Sequence, residues 1–188
     1  MSETLTKYLQ NLGLPLNEIV EVVSHFKPLA LNTGDHFLKQ GKTPNSFAFI
    51  TEGVMRMYYL DENAKDITSY FLKENSFCPL AALVKQASAY SIQAITPCLL
   101  LVITQTDFDK LLQQFPILAK TLDKLVKETL IEKTKPQNNF KTGNSRKRYE
   151  AFLLQHEDFA YRVPLQYIAS YIGVTKQSLS RIRRPAAK

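Results

Sequence analysis

The sequence predicts an α+β fold in three parts: a strand-rich N-terminal body, one long amphipathic helix and a small helical C-terminal domain. Three observations carry this. Between Leu29 and about Thr104 the chain breaks into short β-branched and aromatic runs separated by turn residues. From Pro116 to about Lys135 apolar residues recur every three or four positions. Near the C-terminus, VPLQYIASYIGVTKQSLSRIRR (Val163–Arg184) holds two short helical patterns on either side of Gly173.

The elements follow in order. Leu5, Tyr8, Leu9 and Leu12, then Ile19, Val22, Val23 and Phe26, recur at helical spacing on either side of Pro15, which predicts two short helices with Asn17 capping the second. The runs SFAFI, VMRMYYL, DITSYFL, YSIQAI and CLLLVI are the strands. Turn signals at Asn32–Gly34, Gly41–Asn45, Glu52–Gly53, Asp61–Ala64 and Lys73–Ser76 divide the region. Strands at this spacing close as an antiparallel sandwich or barrel, with Phe47, Phe49, Tyr58, Tyr70 and Phe71 as packing residues rather than a ligand box. Thr106 or Asp107 caps a short helix through Phe115, and Pro116 suits the first turn of a longer one. There Leu118, Leu122, Leu125 and Thr129 alternate by four and three, a coiled-coil-like seam that Val126 and Leu130 widen. Such a seam packs either on the sheet of its own chain or on a second copy. A two-fold homodimer is the favoured reading, because two copies read two half-sites.

The polar break TKPQNNFKTGNS, with Pro136 and Gly143, marks the domain boundary, equally suited to a rigid connection or a hinge. The division is residues 1–115, a dimerisation helix at 116–135 and a C-terminal domain at 136–188. Ser145 caps the helix RKRYEAFLLQHEDF, whose Tyr149, Phe152, Leu153 and Phe159 pack on the helix pair that follows. Ala160 to Val163 leave room for no more than a very short β-wing before Pro164.

In that helix pair, Leu165, Ile168, Ala169 and Ile172 form one apolar face, and Val174, Leu179 and Ile182 the next. Thr175 caps the second helix, which starts near Lys176 and is stopped by Pro185, so its outer face holds Lys176, Gln177, Ser180, Arg181 and Arg184. Arg and Lys pair with guanine and Gln with adenine in the DNA major groove, so this face suits a recognition helix. A solvated helix end is the plainer explanation of such charge. The charge distribution favours DNA. The net charge is +7, and residues 136–188, with ten Lys or Arg against three acids, carry all of it, whereas residues 1–135 hold fourteen of each sign. A neutral body with a compact basic end is the footprint of a nucleic-acid binder, since phosphate neutralisation supplies most sequence-independent affinity.

Other classes fare worse. At 188 residues and 45% hydrophobic content the chain can bury a sizeable core. No apolar run is long enough to span a bilayer, and MSETLTKYLQ lacks the layout of a signal peptide, so a cytoplasmic protein without a membrane partner is expected. Cys78 and Cys98 are too few for a four-thiolate cluster and read as core thiols, while His25, His36 and His156 are scattered singly. No metal, cofactor or catalytic residue is expected. An enzyme of the cupin kind needs clustered His residues with a carboxylate, and His36 is the only His among the strands.

The order of parts, with Gly34-Asp35, Glu52-Gly53, DFDKLLQQFP before the long helix and GVTKQSLSRIRR in the last, resembles the Crp/Fnr family of bacterial transcription regulators over essentially the whole chain. The resemblance implies a cyclic-nucleotide-binding-like double-stranded β-roll, a central dimerisation helix and a winged-helix or helix-turn-helix DNA-binding domain. It places Lys176, Gln177 and Arg181 at base edges, and Thr175, Ser178, Arg183 and Arg184 at phosphates. It also implies an effector pocket at Cys78, Leu80, Ser88 and Ala89. There the chain departs from the family. In SFCPLAALVKQASAYSIQA, Cys78 and Pro79 stand where members that bind cyclic nucleotides have Gly-Glu, and Ser88 stands in place of the phosphate-binding Arg. Without that Arg a buried phosphate loses its charge-assisted partner, so cyclic AMP and cyclic GMP are not expected as effectors. The roll then senses an unknown small molecule or acts as a scaffold. The implied partners are a pseudo-palindromic DNA operator, a second copy of the chain and, for an activator, RNA polymerase. The alternative is a small-molecule-binding β-roll whose basic end meets a protein or RNA.

Overall fold

The computed structural model describes residues 2–78, 85–134 and 144–183, with the backbone alone at Ser2, Leu125, Val126 and residues 128–134. Helices α1 (Ser2–Asn11) and α2 (Leu16–Ser24) precede the strands β1 (Lys27–Leu31), β2 (His36–Leu38), β3 (Ser46–Glu52), β4 (Met55–Leu60), β5 (Asp66–Leu72), β6 (Phe77–Cys78), β7 (Ser91–Ala94) and β8 (Cys98–Thr104). Helices α3 (Gln105–Gln114), α4 (Pro116–Thr134), α5 (Ser145–Gln155), α6 (Leu165–Tyr171) and α7 (Lys176–Arg183) follow. The strands form two four-stranded antiparallel sheets, in the orders β1-β8-β3-β6 and β2-β7-β4-β5.

Period-two alternation sorts the strand residues between layers. In the first sheet Ala48, Ile50, Cys98 and Leu100 face the second sheet and join Met55, Leu72, Ile92 and Ala94 in an inter-sheet core. Their neighbours Phe47, Phe49, Leu101 and Ile103 face outward, where Leu5, Leu9, Ile19, Val22, Phe108, Leu111 and Leu118 cover them. The runs SFAFI and CLLLVI are continuously apolar for this reason: both faces of the sheet are buried. Glu52-Gly53 turns β3 into β4. A Cβ on Gly53 would lie 2.4 Å from the Pro97 carbonyl oxygen and 2.6 Å from Cys98 Sγ, and its φ is +97°, so this position requires glycine.

The outer face of the second sheet is covered by the C-terminal helices. Phe71 of β5 packs on Phe152 (5.9 Å between ring centroids), Phe159 (6.0 Å) and Tyr171 (5.2 Å). Val54, Phe71 and Ile95 thereby share one cluster with Ile168, Ala169, Ile172 and Leu179. The basic helical end is docked on the neutral body.

Several local expectations shift by one or two residues. Pro15, not Asn17, precedes α2, with its carbonyl accepting from Ile19 N–H, and Asn17 lies inside the helix. Thr104, not Thr106 or Asp107, caps α3, accepting from Asp107 N–H at 3.1 Å. Asn144, not Ser145, caps α5, accepting from Lys147 N–H at 3.0 Å. At α3 and α5 the side chain at the strand or loop end reaches the free amides first, whereas Pro15 offers only its carbonyl. Helix α5 ends at Gln155, and Phe159 joins the core from beyond it. The segment left for a wing is instead a 3-10 turn, Ala160–Arg162, because Phe159, Ala160 and Val163 are drawn into the helical core.

Leu118 and Leu122 also differ from a seam facing a second copy. Leu118 is buried in the chain's own core with Phe108 and Leu111, and Leu122 packs against the same cluster. The short α3 folds back to meet α4, which turns the first two heptad positions inward. The side chains of Leu125 and Thr129 lie outside the description, as does most of the polar break.

Candidate nucleic-acid interface

The interface is built on α6, α7 and the turn between them. Helix α6 buries Ile168 and Ala169, and α7 buries Leu179. The chain reverses at Gly173, whose φ of +70° places it in the left-handed region that glycine adopts without strain. Val174 N–H reaches back to Ala169 O at 2.9 Å, and Arg148 Nη1 of α5 donates to Ile172 O at 3.3 Å, so two donors satisfy the carbonyls of the turn. Thr175 Oγ1 accepts from Ser178 N–H at 3.1 Å and donates to Ser178 Oγ at 2.9 Å, the cap the sequence predicts.

With Leu179 anchored, the opposite side of α7 is exposed. Lys176, Gln177, Ser180 and Arg181 line one open concavity of about 440 Å³ there. Lys176, Gln177, Arg181 and Arg183 are exposed, and among the described residues no carboxylate pairs with the three cations. A row of unneutralised donors over two helical turns is what a polyanion's groove and backbone can engage. Thr175 and Ser178 sit at the N-terminal edge of this face, with Thr175 exposed and Ser178 half-buried. Arg184 lies outside the described residues.

The residues expected around an effector pocket occupy different surroundings. Cys78 is buried in the inter-sheet core, where desolvation and the neighbouring Cys98 push its thiol up to about 12. Ser88 is buried in a loop: its hydroxyl donates to Tyr90 O at 2.8 Å, and its backbone pairs with Gly41 and Lys42. Ala89 is exposed, beside the buried Ser88. Leu80 lies outside the description. Among the described residues, Leu38, Ala48, Ile50, Met55, Leu72, Ile92, Ala94 and Leu100 form the inter-sheet core with the thiols of Cys78 and Cys98. The only Arg between residues 28 and 115, Arg56, lies beyond that core, its guanidinium bound to Asp66 at 2.5 and 2.6 Å. Among the described residues no group of His, Cys, Asp and Glu could hold a metal, and no helix is long and apolar enough to cross a membrane.

Arg148, Arg56, Glu74 and Arg162 carry no local signal in the sequence. Arg148 meets Ile172 at a separation of 24 residues, Arg56 meets Gln93 at 37 besides Asp66 at 10, and Glu74 meets Arg162 at 88.

Comparison with known proteins places the roll. Residues 28–115 match the model of the cyclic nucleotide-binding domain family. No curated protein sequence matches the chain. Among solved structures it is similar to FixK2 from Bradyrhizobium japonicum (TM-score 0.73, 13% identity, 84% of this chain and 82% of that one). It is also similar to the c-di-GMP responsive global regulator CLP of Xanthomonas campestris (0.71, 12%, 89% and 89%). The Thermus thermophilus catabolite activator protein aligns at 0.60 with 19% identity over 90% and 82%. Residues 28–115 therefore carry the β-roll of the cyclic nucleotide-binding domain, and the fold of the chain is similar to those of the three regulators named.

Proposed function

We propose that the chain is a sequence-specific DNA-binding transcription regulator that acts as a homodimer. The observation that carries this is the exposed face of α7, where Lys176, Gln177, Ser180 and Arg181 converge on one open concavity while Leu179 anchors the helix from behind. In this reading α6 and α7 are a helix-turn-helix and α7 enters the major groove. Lys176, Gln177 and Arg181 meet base edges, and Thr175, Ser178, Arg183 and Arg184 meet phosphates. The dimer is formed along α4 beyond Leu122, through Leu125 and Thr129, since Leu118 is buried within its own chain. Two copies read a pseudo-palindromic operator with half-sites about 10 base pairs apart. In an activator, RNA polymerase is the further partner.

The roll of this regulator does not take cyclic AMP or cyclic GMP in the usual way. Its apolar inter-sheet core and the engagement of Arg56 with Asp66 support an uncharged effector or a purely structural role. Among the described residues of that core no cation stands to pair with the desolvated charge of a phosphate.

Selection of duplexes from a random DNA pool at about 0.15 M salt tests the function. Enrichment of an inverted repeat is the expected result. A pool that stays random, with retention of any duplex alike, refutes sequence-specific regulation and leaves a basic end that meets a protein or RNA.

A further inference from the structure

The second sheet presents a polar and aromatic row to the C-terminal helices, and its geometry is directional. Arg56, 3% exposed, is held in plane by partners of its own sheet. Its Nη1 and Nη2 donate to Asp66 Oδ1 and Oδ2 (2.5 and 2.6 Å), Nε donates to Gln93 Oε1 (3.0 Å), and Nη1 donates to Thr68 Oγ1 (3.1 Å). Tyr58 stacks on one side, 4.0 Å from the guanidinium carbon to the ring centroid. The ring of Tyr167, from α6, stacks at 3.9 Å. One turn along α6, Ser170 Oγ accepts from Thr68 N–H (2.9 Å) and donates to Asp66 O (3.0 Å), closing the free edge of β5. Just after β5, Glu74 accepts from Gly53 N–H (2.8 Å) and holds Arg162 in a two-pronged pair (2.6 and 2.8 Å). Lys73 pairs with Asp158 beside it.

We propose that the β4–β5 hairpin positions the recognition helix, with Arg56 acting through Tyr167 and Glu74 acting through Arg162. The hairpin grips α6, and α6 is packed on α7 through Ile168, Ile172 and Leu179, so a fixed α6 fixes the axis of α7. A planar stack and a bidentate pair constrain direction as well as distance, and the close packing of α6 on α7 passes that constraint on. The direct consequence is that the orientation of α7 is set by the roll itself, in addition to any restraint from the connection after α4. This rests on the DNA-binding reading: in a dimer, a fixed axis on each copy fixes the separation of the two recognition helices and hence the half-site spacing they accept. An effector that reshapes the hairpin would act through these residues.

The test uses the full chain and two readouts, only one of which needs DNA. The double variant Arg162→Ala with Tyr167→Leu removes both grips, Tyr167→Phe keeps the ring, and Arg162→Ala alone removes one half-exposed partner. Hydrogen exchange is expected to show the Thr68 amide at least about tenfold faster in the double variant, with the central-strand amides of Leu100 and Leu101 unchanged. On the selected operator, and on versions with half-sites one base pair closer or farther apart, the wild type and Tyr167→Phe should discriminate spacing. The double variant should lose about tenfold of that preference while binding a single half-site as before, and Arg162→Ala should show the same change at smaller amplitude. An unchanged Thr68 amide refutes the grip. A freed Thr68 amide with unchanged spacing preference refutes the positioning role. A wild type without any sequence preference refutes the DNA-binding reading itself, and exchange at Thr68 then still decides whether the hairpin holds α6.

Discussion

Replacing Glu74 by Gln isolates the charge of the pair that joins the roll to the C-terminal helices. Gln keeps the shape and can still accept from Gly53 N–H, so the change removes the ionic part of the contact with Arg162. The hydrogen bonds from Arg162 lower the carboxyl pKa from 4.5 to about 2, against an opposing effect of burial. That depression corresponds to at most about 3.4 kcal/mol of stability at neutral pH. The side chains of Glu74 and Arg162 are 29% and 41% exposed. Solvent screening reduces the figure to about 2 kcal/mol. The sign follows from the direction: a depressed carboxyl pKa stabilises the fold above about pH 4.5, and this stability is lost as the pH falls toward 2. Urea unfolding of both proteins should therefore give a gap of about 2 kcal/mol at pH 7 that narrows to about 0.4 at pH 3. A gap under about 0.5 kcal/mol at pH 7, or one that does not narrow in acid, would refute the assignment of Glu74 as an anchor of the docked helices.

Three further outcomes are expected. Arg181→Ala should cost about 1–3 kcal/mol of discrimination between cognate and altered operators, whereas Arg184→Ala should weaken all duplexes alike; titrations on cognate and scrambled DNA separate the two. Cyclic AMP at millimolar concentration should leave the thermal midpoint unchanged, because the one Arg of residues 28–115 is engaged by Asp66; a rise of several degrees would overturn the apolar-core argument. Gly53→Ala should destabilise the chain by about 3 kcal/mol or more, since the added Cβ meets the Pro97 backbone at 2.4 Å in a conformation of positive φ; a loss below about 1 kcal/mol in urea unfolding would show that the hairpin yields.

The path from sequence to site was legible where the governing physics is local. β-branched and aromatic runs between turn residues, at 46–50 and 98–103, marked the strands, and the spacing of Leu165, Ile168 and Ile172 and of Leu179 and Ile182 marked the helix pair. Thr175 was readable as a cap because capping depends on residues three positions apart. The exposed donors of α7 followed from the same periodicity, since burying Leu179 leaves Lys176, Gln177 and Arg181 on the other side. Short elements were less legible: the three-residue β2 and two-residue β6 are too brief to show a period, and β1 is largely exposed, so apolar alternation does not reveal it.

What the sequence determined by itself was therefore the longer elements, the seat of the positive charge and the face that α7 exposes. Tertiary structure alone decided how those elements are joined. Leu118 reads equally well as a seam or as core, and the fold of α3 against α4 places it in the core. Arg56 reads as one more strand cation until Asp66, Gln93 and Tyr167 converge on it, and Glu74 as a turn residue until Arg162 arrives from 88 positions away. Periodicity and capping encode which side of an element is apolar and where it ends. They do not encode which distant element meets that side, because that choice is made by packing the whole chain at once.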